Sequence, residues 1–139
     1  MLRVGVIGCG GMGRDHIRRL TEKIQGAEVV AVSDVFEESA RKAAEICGAK
    51  VYADSKELIN AENVDAVFIV SPGFAHVDSL LQAIEAGKRI FCFCVLFDDV
   101  ILSFCARERN VFFVQKFHFV FMRFSLFVTS SKRTKNRKQ

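Results

Sequence analysis

Short apolar runs alternate with amphipathic segments along residues 1–92 of the chain. The apolar runs read LRVGVIG, EVVAVSD, KVYA, DAVFIVS and RIFCF, which is typical of buried strands. Between them, apolar residues recur three or four positions apart, as they do in helices: Ile17, Leu20 and Ile24; Ala40, Ala43, Ala44 and Cys47; Val77, Leu80, Leu81 and Ile84. Apolar strands that alternate with helices form a parallel sheet covered on both faces, and right-handed crossovers wind it in two directions. The pattern therefore predicts a doubly wound α/β domain.

Turn and cap residues mark the ends of the predicted helices. Gly48 stands where the second helix needs a C-cap, and Gly87 closes the helix that precedes the fifth strand. Ser55 is a suitable N-cap for the short helix SKELIN. The helix boundaries are thus predicted by side-chain chemistry as well as by periodicity.

The first predicted turn reads VGVIGCGGMGRDH, and Gly8, Gly10 and Gly13 in it match the pattern G-x-G-x-x-G. The loop follows a strand and opens a helix, which is the context of a dinucleotide-binding turn. In such a turn Gly8 allows the tight bend, Gly10 lets the backbone approach a pyrophosphate, and Gly13 lets helix and strand pack closely. The helix start, with Gly11 and Met12, adds N–H groups and a positive dipole end for the phosphates. The alternative is a glycine-rich turn that binds nothing.

Asp34 ends the second predicted strand, about 20 residues after the glycines, as the dinucleotide-binding pattern requires. Its carboxylate can accept hydrogen bonds from the ribose hydroxyls of adenosine and would repel a 2′-phosphate, so it favours NAD over NADP as the cofactor. Asp34 could instead cap the next helix, with Glu37 completing a capping box, and the two roles are compatible.

The loop SPGFAH follows the fourth predicted strand and is expected to form the other wall of a cofactor crevice. Strands one and four are neighbours where the winding of such a sheet reverses, and ligands bind outside their carboxyl ends. Ser71, Pro72 and Gly73 are therefore expected on the nicotinamide side of the cofactor. His76 falls in the first turn of the next helix, where the sequence is equally consistent with a functional and a structural role.

These motifs together resemble a known family. LRVGVIGCGGMGRDHIRRL, GAEVVAVSDV and NVDAVFIVSPGFAHVDSLLQAIEAGKRIFC are similar to the N-terminal half of the glucose–fructose oxidoreductase/inositol dehydrogenase family, and to its bacterial inositol 2-dehydrogenase branch in particular. The resemblance covers residues 1 to about 92. It implies a Rossmann NAD-binding domain, followed in the family by a larger α/β domain that holds the polyol substrate, supplies a catalytic Asp and His, and forms the oligomer interface.

The chain departs from this family at the end of the fifth strand. The family has Glu-Lys-Pro there, and its Lys reaches the substrate and the nicotinamide. This chain has Phe93, Cys94 and Val95 at those positions, so no catalytic residue is assigned in it. The nearby cations that could be considered as substitutes are Lys88 and Lys116, and neither has the expected position.

Residues 93–139 differ in composition from the first part of the chain. They hold ten of the fourteen Phe residues and neither Gly nor Pro. Residues 93–127 are predicted as a diverged, Phe-rich continuation with a helix in DDVILSFCARERN and a sixth strand in VFFVQ, and residues 128–139 as a disordered basic tail. A damaged reading frame would explain the absence of turn residues. A diverged but folded continuation would explain VQ and FMR, which are similar to pieces of a later strand of the family. The first explanation is preferred.

Charge and cysteine content exclude several other classes of function. The net charge of +4 comes from the last twelve residues, which carry five Lys or Arg. Residues 1–127 hold 15 basic and 16 acidic residues, so this part of the chain is nearly neutral. Nucleic acid is therefore not expected as a partner. The five cysteines lack CxxC spacing, which predicts reduced thiols and no metal site. With no recognisable signal peptide and no apolar stretch long enough for a membrane span, we expect a cytoplasmic protein.

Two functions remain for the structure to separate. The first is the NAD-binding domain of an inositol 2-dehydrogenase-like oxidoreductase, truncated and inactive alone, which would act on a polyol only if a second domain were supplied. The alternative is a non-catalytic nucleotide-binding remnant or regulatory module. In both cases the Phe-rich tail is expected to cause self-association, because it exposes apolar surface.

Overall fold

A computed structural model describes residues 1–94 and 111–115 of the chain. Strands and helices alternate through these ranges in the following order: β1 Leu2–Ile7, α1 Gly11–Glu22, β2 Ala27–Ser33, α2 Glu37–Cys47, β3 Lys50–Tyr52, α3 Ser55–Asn60, β4 Ala66–Ile69, α4 Gly73–Glu85, β5 Arg89–Cys94 and β6 Val111–Gln115. The predicted helix in DDVILSFCARERN, the cation Lys116 and the basic tail 128–139 lie outside the described residues.

The strands form one parallel sheet in the order β3-β2-β1-β4-β5-β6. Val6 in the central strand β1 is level with Val32 of β2 on one side and with Phe68 of β4 on the other. The chain therefore winds outward from β1 in both directions, which confirms the predicted doubly wound α/β fold. The backbone of β6 pairs with β5 in the segment VFFVQ, where the sequence favours a sixth strand.

Two apolar layers cover the faces of this sheet. On one face, α1 and α2 bury Ile17, Leu20, Ala40 and Ala43 against Val4, Val6, Val29 and Val32. On the other face, α3 and α4 bury Leu58, Ile59, Leu80 and Ala83 against Ile7, Val67, Ile69 and Ile90. Each central strand buries both sets of its alternating side chains, which explains why these strands appear in the sequence as uninterrupted apolar runs.

Two residues assigned to the buried helix faces are instead exposed. Ile24 lies beyond the end of α1 and is 50% exposed, because the helix ends at Glu22. Leu81 is 42% exposed, since it lies about 100° around the helix from the buried Leu80. Ala83 takes the buried position on α4 instead.

The helix caps follow the prediction at two positions and contradict it at a third. Gly48 is the C-cap of α2 in the left-handed region, with φ 71°, and Gly87 follows the end of α4 with φ 66°. The N-cap of α3 is Asp54 rather than Ser55, because the Asp54 carboxylate accepts a hydrogen bond from the Lys56 N–H at 3.0 Å. Asp is as good a cap as Ser, and the helix simply begins one residue later than its cap.

Lys88 lies at the amino edge of the sheet, immediately before β5. Its ammonium group donates hydrogen bonds to the carbonyl oxygens of Ala61, at 3.0 Å, and Val64, at 2.6 Å. Ligands of doubly wound sheets bind at the opposite, carboxyl edge. Lys88 therefore does not lie where the family Lys would be, as the sequence indicates, and its ammonium group instead holds the loop before β4.

No helix in residues 1–94 is long and apolar enough to cross a membrane.

Candidate functional site

Gly8 joins three loops at the carboxyl edge of the sheet. It follows β1 directly, has φ +94°, and donates its N–H to the Ser33 carbonyl at the end of β2, at 2.9 Å. A Cβ added at Gly8 would lie 2.6 Å from the backbone nitrogen of Ser71, which belongs to the loop after β4. Only Gly suits both the positive φ and this close approach. The turn thus lies at the point where the winding of the sheet reverses.

Gly10, Gly11 and Met12 form the start of α1 and face open space. Gly10 is the N-cap, and its carbonyl accepts the first helical hydrogen bond from the Arg14 N–H at 3.0 Å. A Cβ added at Gly10 or Gly11 would meet no atom within 4 Å, and Met12 is 40% exposed. The first N–H groups of a helix have no intrahelical acceptor, so this end of α1 offers donors to a ligand.

Gly13 is buried on the opposite side of the same turn. A Cβ there would overlap the carbonyl oxygen of Gly8. The first turn of α1 can approach the end of β1 only because residue 13 is Gly, as the sequence motif predicts.

Asp34 follows β2 and connects it to the glycine turn. One carboxylate oxygen, Oδ2, accepts a hydrogen bond from the Cys9 N–H at 2.6 Å, and Oδ1 accepts one from the Phe36 N–H at 2.8 Å. The helix α2 begins at Glu37 with Phe36 as its N-cap and no side-chain cap bond, so the predicted capping box of Asp34 and Glu37 is wrong. A carboxylate has about four acceptor positions, and Asp34 therefore keeps capacity for ribose hydroxyls.

Val35 and Phe36 extend from Asp34 into solvent, with 91% and 72% of their surface exposed. These two adjacent apolar side chains form an exposed apolar surface beside Asp34. Sequence reasoning missed them, although an apolar pair between the strand-ending acid and the next helix was visible in SDVFEE.

The loop after β4 closes the other side of the crevice. The Val70 N–H donates to the Ile7 carbonyl at 2.8 Å, which ties this loop to the end of β1. Ser71 is half-buried, Pro72 is exposed and serves as the N-cap of α4, and α4 begins at Gly73 with His76 in its first turn. The sequence-predicted residues of this loop are thus brought to the same edge as the glycine turn.

Two further residues in the turn were given no role by sequence reasoning. Cys9 is fully buried, and its thiol lies 3.6 Å from the Ser33 carbonyl oxygen that it faces. Burial, together with the nearby Asp34 carboxylate, raises the pKa of the Cys9 thiol to about 12. The Arg14 guanidinium donates to the Cys9 carbonyl through Nη1 at 3.0 Å. The signal for Arg14 was its place directly after the third glycine.

Phe93, which stands where the family has Glu, is buried against α1. Its ring centroid lies 5.6 Å from that of His16, and His16 also packs edge-on against Phe91 and Phe68. Phe68 and Phe91 stack at 4.4 Å. This aromatic cluster is hydrophobic packing, and it places no hydrogen-bonding side chain of residue 93 in the crevice. No group of three or more His, Cys, Asp or Glu side chains in the described ranges could hold a metal ion.

The parallel doubly wound sheet, the glycine turn at its switch point and the acid at the end of β2 define a dinucleotide-binding domain of the Rossmann class. The family model described as oxidoreductase family, NAD-binding Rossmann fold (Gfo/Idh/MocA) matches residues 2–92. The chain belongs to this family and carries its NAD-binding domain.

Among known proteins, the chain is similar in sequence to inositol dehydrogenases. The chain is 56% identical over 93 residues to the inositol 2-dehydrogenase/D-chiro-inositol 3-dehydrogenase of Shouchella clausii, covering 66% of this chain and 27% of that protein. It is 50% identical over 93 residues to the inositol 2-dehydrogenase of Azotobacter vinelandii, again covering 66% of this chain and 28% of that protein. It therefore spans little more than a quarter of the length of these relatives.

The chain is also similar in structure to an inositol dehydrogenase. The myo-inositol dehydrogenase of Lactobacillus casei, in complex with NAD(H) and myo-inositol, is 38% identical and superposes with a TM-score of 0.74. That match covers 81% of this chain and 36% of the other.

Proposed function

We propose that this chain binds NAD in the crevice between β1 and β4, as the cofactor domain of an inositol 2-dehydrogenase-like oxidoreductase. The observation that carries the proposal is the open space above Gly10 and Gly11 at the start of α1, beside the tightly packed Gly8 and Gly13. A pyrophosphate would lie in that space and accept hydrogen bonds from the first N–H groups of the helix around Met12.

The adenosine half of the cofactor would lie beside Asp34. Its carboxylate would accept hydrogen bonds from the ribose hydroxyls, in addition to the bonds from the Cys9 and Phe36 N–H groups. A 2′-phosphate would bring negative charge against the same carboxylate, which supports a preference for NAD over NADP. The exposed side chains of Val35 and Phe36 offer apolar surface next to the ribose.

The nicotinamide half would lie along the loop after β4, near Ser71, Pro72, Gly73 and His76. When NAD is bound in an enzyme of this type it accepts hydride from a CH–OH carbon of the substrate while a base takes the hydroxyl proton. Residues 1–92 are proposed to supply the cofactor part of this reaction. A polyol would be held only if a second domain supplied the substrate contacts and the base.

The buried Phe93 supports the further proposal that the chain alone does not oxidise polyols. Its ring packs against His16 in the α1 layer, and it has no group that could polarise a hydroxyl. The same observation favours the alternative of a non-catalytic nucleotide-binding module. The proposed location is the cytoplasm, which is consistent with the free thiols of Cys9 and Cys47.

Titration calorimetry with NAD and NADP tests the binding site. We expect the chain to bind NAD more tightly than NADP, Gly10→Val to abolish binding, and Asp34→Asn to reduce the preference for NAD. Ala86→Val is the matched control, because it adds the same kind of bulk to an exposed residue at the end of α4. Unchanged NAD affinity in Gly10→Val, or tighter binding of NADP by the unmodified chain, would contradict the proposal.

An NADH absorbance assay with NAD and myo-inositol tests whether the chain alone is inactive, which both candidate functions require. No steady NADH production is expected from the chain alone at neutral to alkaline pH. NADH production that disappears in Gly10→Val would show that the chain forms a complete active site, and would contradict both the proposed inactivity and the non-catalytic alternative.

A further inference from the structure

We propose that Arg14 is a positioning residue that holds the peptide between Cys9 and Gly10 in the orientation needed for pyrophosphate binding. This inference rests on the proposed NAD site and adds to it a side chain that would act without touching the cofactor. The evidence is the pair of hydrogen bonds that hold the backbone of Cys9 from its two sides.

A negatively charged side chain and a positively charged one each form a hydrogen bond with the backbone of Cys9. The Asp34 carboxylate accepts from the Cys9 N–H at 2.6 Å, and the Arg14 guanidinium donates to the Cys9 carbonyl at 3.0 Å. Cys9 itself is fully buried, so its backbone has little access to water. Hydrogen bonds to charged groups are stronger than neutral ones, and this pair therefore restricts both peptide units that flank Cys9.

The carbonyl bond to Arg14 determines the direction of the next N–H. In a trans peptide the C=O and the following N–H are coplanar and point in opposite directions. Holding the Cys9 carbonyl on Arg14 therefore turns the Gly10 N–H away from Arg14. Gly10 is exposed and has no Cβ contact within 4 Å, so its side of the peptide has no side-chain packing to hold it. Gly has more backbone freedom than any other residue, and an outside restraint has the largest effect there.

Arg14 is placed to restrain the turn from within the same helix. Its own N–H donates to the Gly10 carbonyl at 3.0 Å, while its side chain reaches back to Cys9. The residue thus binds two successive carbonyls of the glycine turn. A turn that is already ordered loses less conformational entropy when a ligand arrives, and this raises affinity without a new contact.

The competing interpretation is that Arg14 attracts the pyrophosphate directly as a positive charge. The two interpretations differ in their dependence on salt, because attraction between exposed charges is screened and a partly buried hydrogen bond to the backbone is screened much less. They also differ before any cofactor is present, since only the positioning role changes the free turn.

The test compares Arg14→Met with Arg18→Met in the full chain. Arg18 is exposed one turn further along α1, so its replacement removes the same charge from the same helix. NAD affinity is measured by calorimetry at low and at high salt, and the Gly10 amide resonance is recorded by NMR without NAD. Arg14→Lys is the conservative variant, because its ammonium group keeps one donor for the Cys9 carbonyl.

We expect Arg14→Met to weaken NAD binding by about tenfold at both salt concentrations. Arg14→Lys is expected to recover part of this loss, and Arg18→Met to change affinity by less than about twofold. The Gly10 amide resonance should shift or broaden in Arg14→Met and stay in place in Arg18→Met. Thermal unfolding of each variant, followed by circular dichroism, confirms that the affinities refer to folded protein.

The proposal is overturned if the two Met variants bind NAD equally well, or if the loss in Arg14→Met disappears at high salt. It is also overturned if the Gly10 amide resonance is the same in Arg14→Met as in the unmodified chain. Should Arg14→Met fail to fold, Arg14→Ala, which also removes the donor and introduces a good helix former, gives the same decision through the Gly10 resonance. If the unmodified chain does not bind NAD, the proposed function fails, and the Gly10 resonance still tests the positioning role on its own.

Discussion

The space that a side chain at Gly13 would need is already taken by the carbonyl oxygen of Gly8. Because residue 13 is Gly, α1 can start directly against the end of β1. On the outer side of the same turn, Gly11 meets no atom within 4 Å of an added Cβ. Glycines only two positions apart thus have opposite structural requirements.

Gly13→Ala is therefore expected to destabilise the fold by about 2 kcal/mol, which is the usual cost of overpacking. Gly11→Ala is the matched control and should be neutral or slightly stabilising, because Ala is the better helix former and has space there. Urea unfolding measures both free energies. Equal stability of the two variants would show that α1 moves away from β1 at little cost.

A second prediction concerns the effect of low pH on the stability of the fold, through His16. The Nε2 atom of His16 is buried without a hydrogen-bond partner in the described part of the chain, and the ring lies among Phe68, Phe91 and Phe93. Burial lowers the pKa of His16, and the charges of Asp15 and Arg19 on the same helix partly offset each other. The unfolded chain then binds a proton more readily than the folded one, so stability is lost as the pH falls below about 6.5.

His16→Leu should remove this loss. We expect the free energy of unfolding of the unmodified chain to fall between about pH 7.5 and about pH 5.5, and that of His16→Leu to stay nearly constant. Urea titrations at the two pH values provide the measurement. The hypothesis fails if both proteins lose stability to the same extent.

A third prediction concerns the amino edge of the sheet. Asp65 accepts hydrogen bonds from Arg3 Nη2 at 2.8 Å and from Arg3 Nε and the Arg3 backbone N–H at 3.0 Å each. The Arg3 guanidinium holds the pKa of the Asp65 carboxyl far below its usual range. A depressed folded pKa gives stability that is present above the unfolded value, near 3.8, and is lost as the pH falls below it.

Asp65→Asn should lower the melting temperature at neutral pH and reduce the further loss in acid. The control is Asp15→Asn, which breaks an exposed pair with Arg19 on one helix and should cost no more than about 0.5 kcal/mol. Calorimetric melting curves from neutral pH down to about pH 3 cover the upper part of the Asp65 titration, just below its unfolded pKa near 3.8. Equal effects of the two substitutions would mean that the Arg3–Asp65 pair contributes no more than an exposed surface pair.

A fourth prediction concerns the Phe-rich segment. Ten Phe in residues 93–139 are expected to make the full chain self-associate. Light scattering should report a mass above that of one chain, and Ser in place of Phe117, Phe119 and Phe121 should lower it. A monodisperse monomer of the unmodified chain would contradict the expectation.

The fold and most of the glycine turn could be predicted from the sequence because their causes are local. Apolar periodicity distinguishes strands from helices, and Gly13 is needed because of the backbone of Gly8, which is near it in the sequence. The same holds for Gly48, whose positive φ ends α2. The relation between Gly8 and Gly13 spans five residues, and the motif states it directly.

Tertiary structure decided the relations between residues that are far apart in the chain. Asp34 had two predicted roles, and only the placement of β2 beside β1 brought its carboxylate to the Cys9 N–H. Lys88 is near the family's Lys position in sequence, yet β5 separates it from the crevice by the whole height of the sheet. Phe93 faces His16 because parallel packing brings α1 over β4 and β5. Sequence spacing carries no information on these contacts, because they depend on which strands are neighbours and on which face each helix lies.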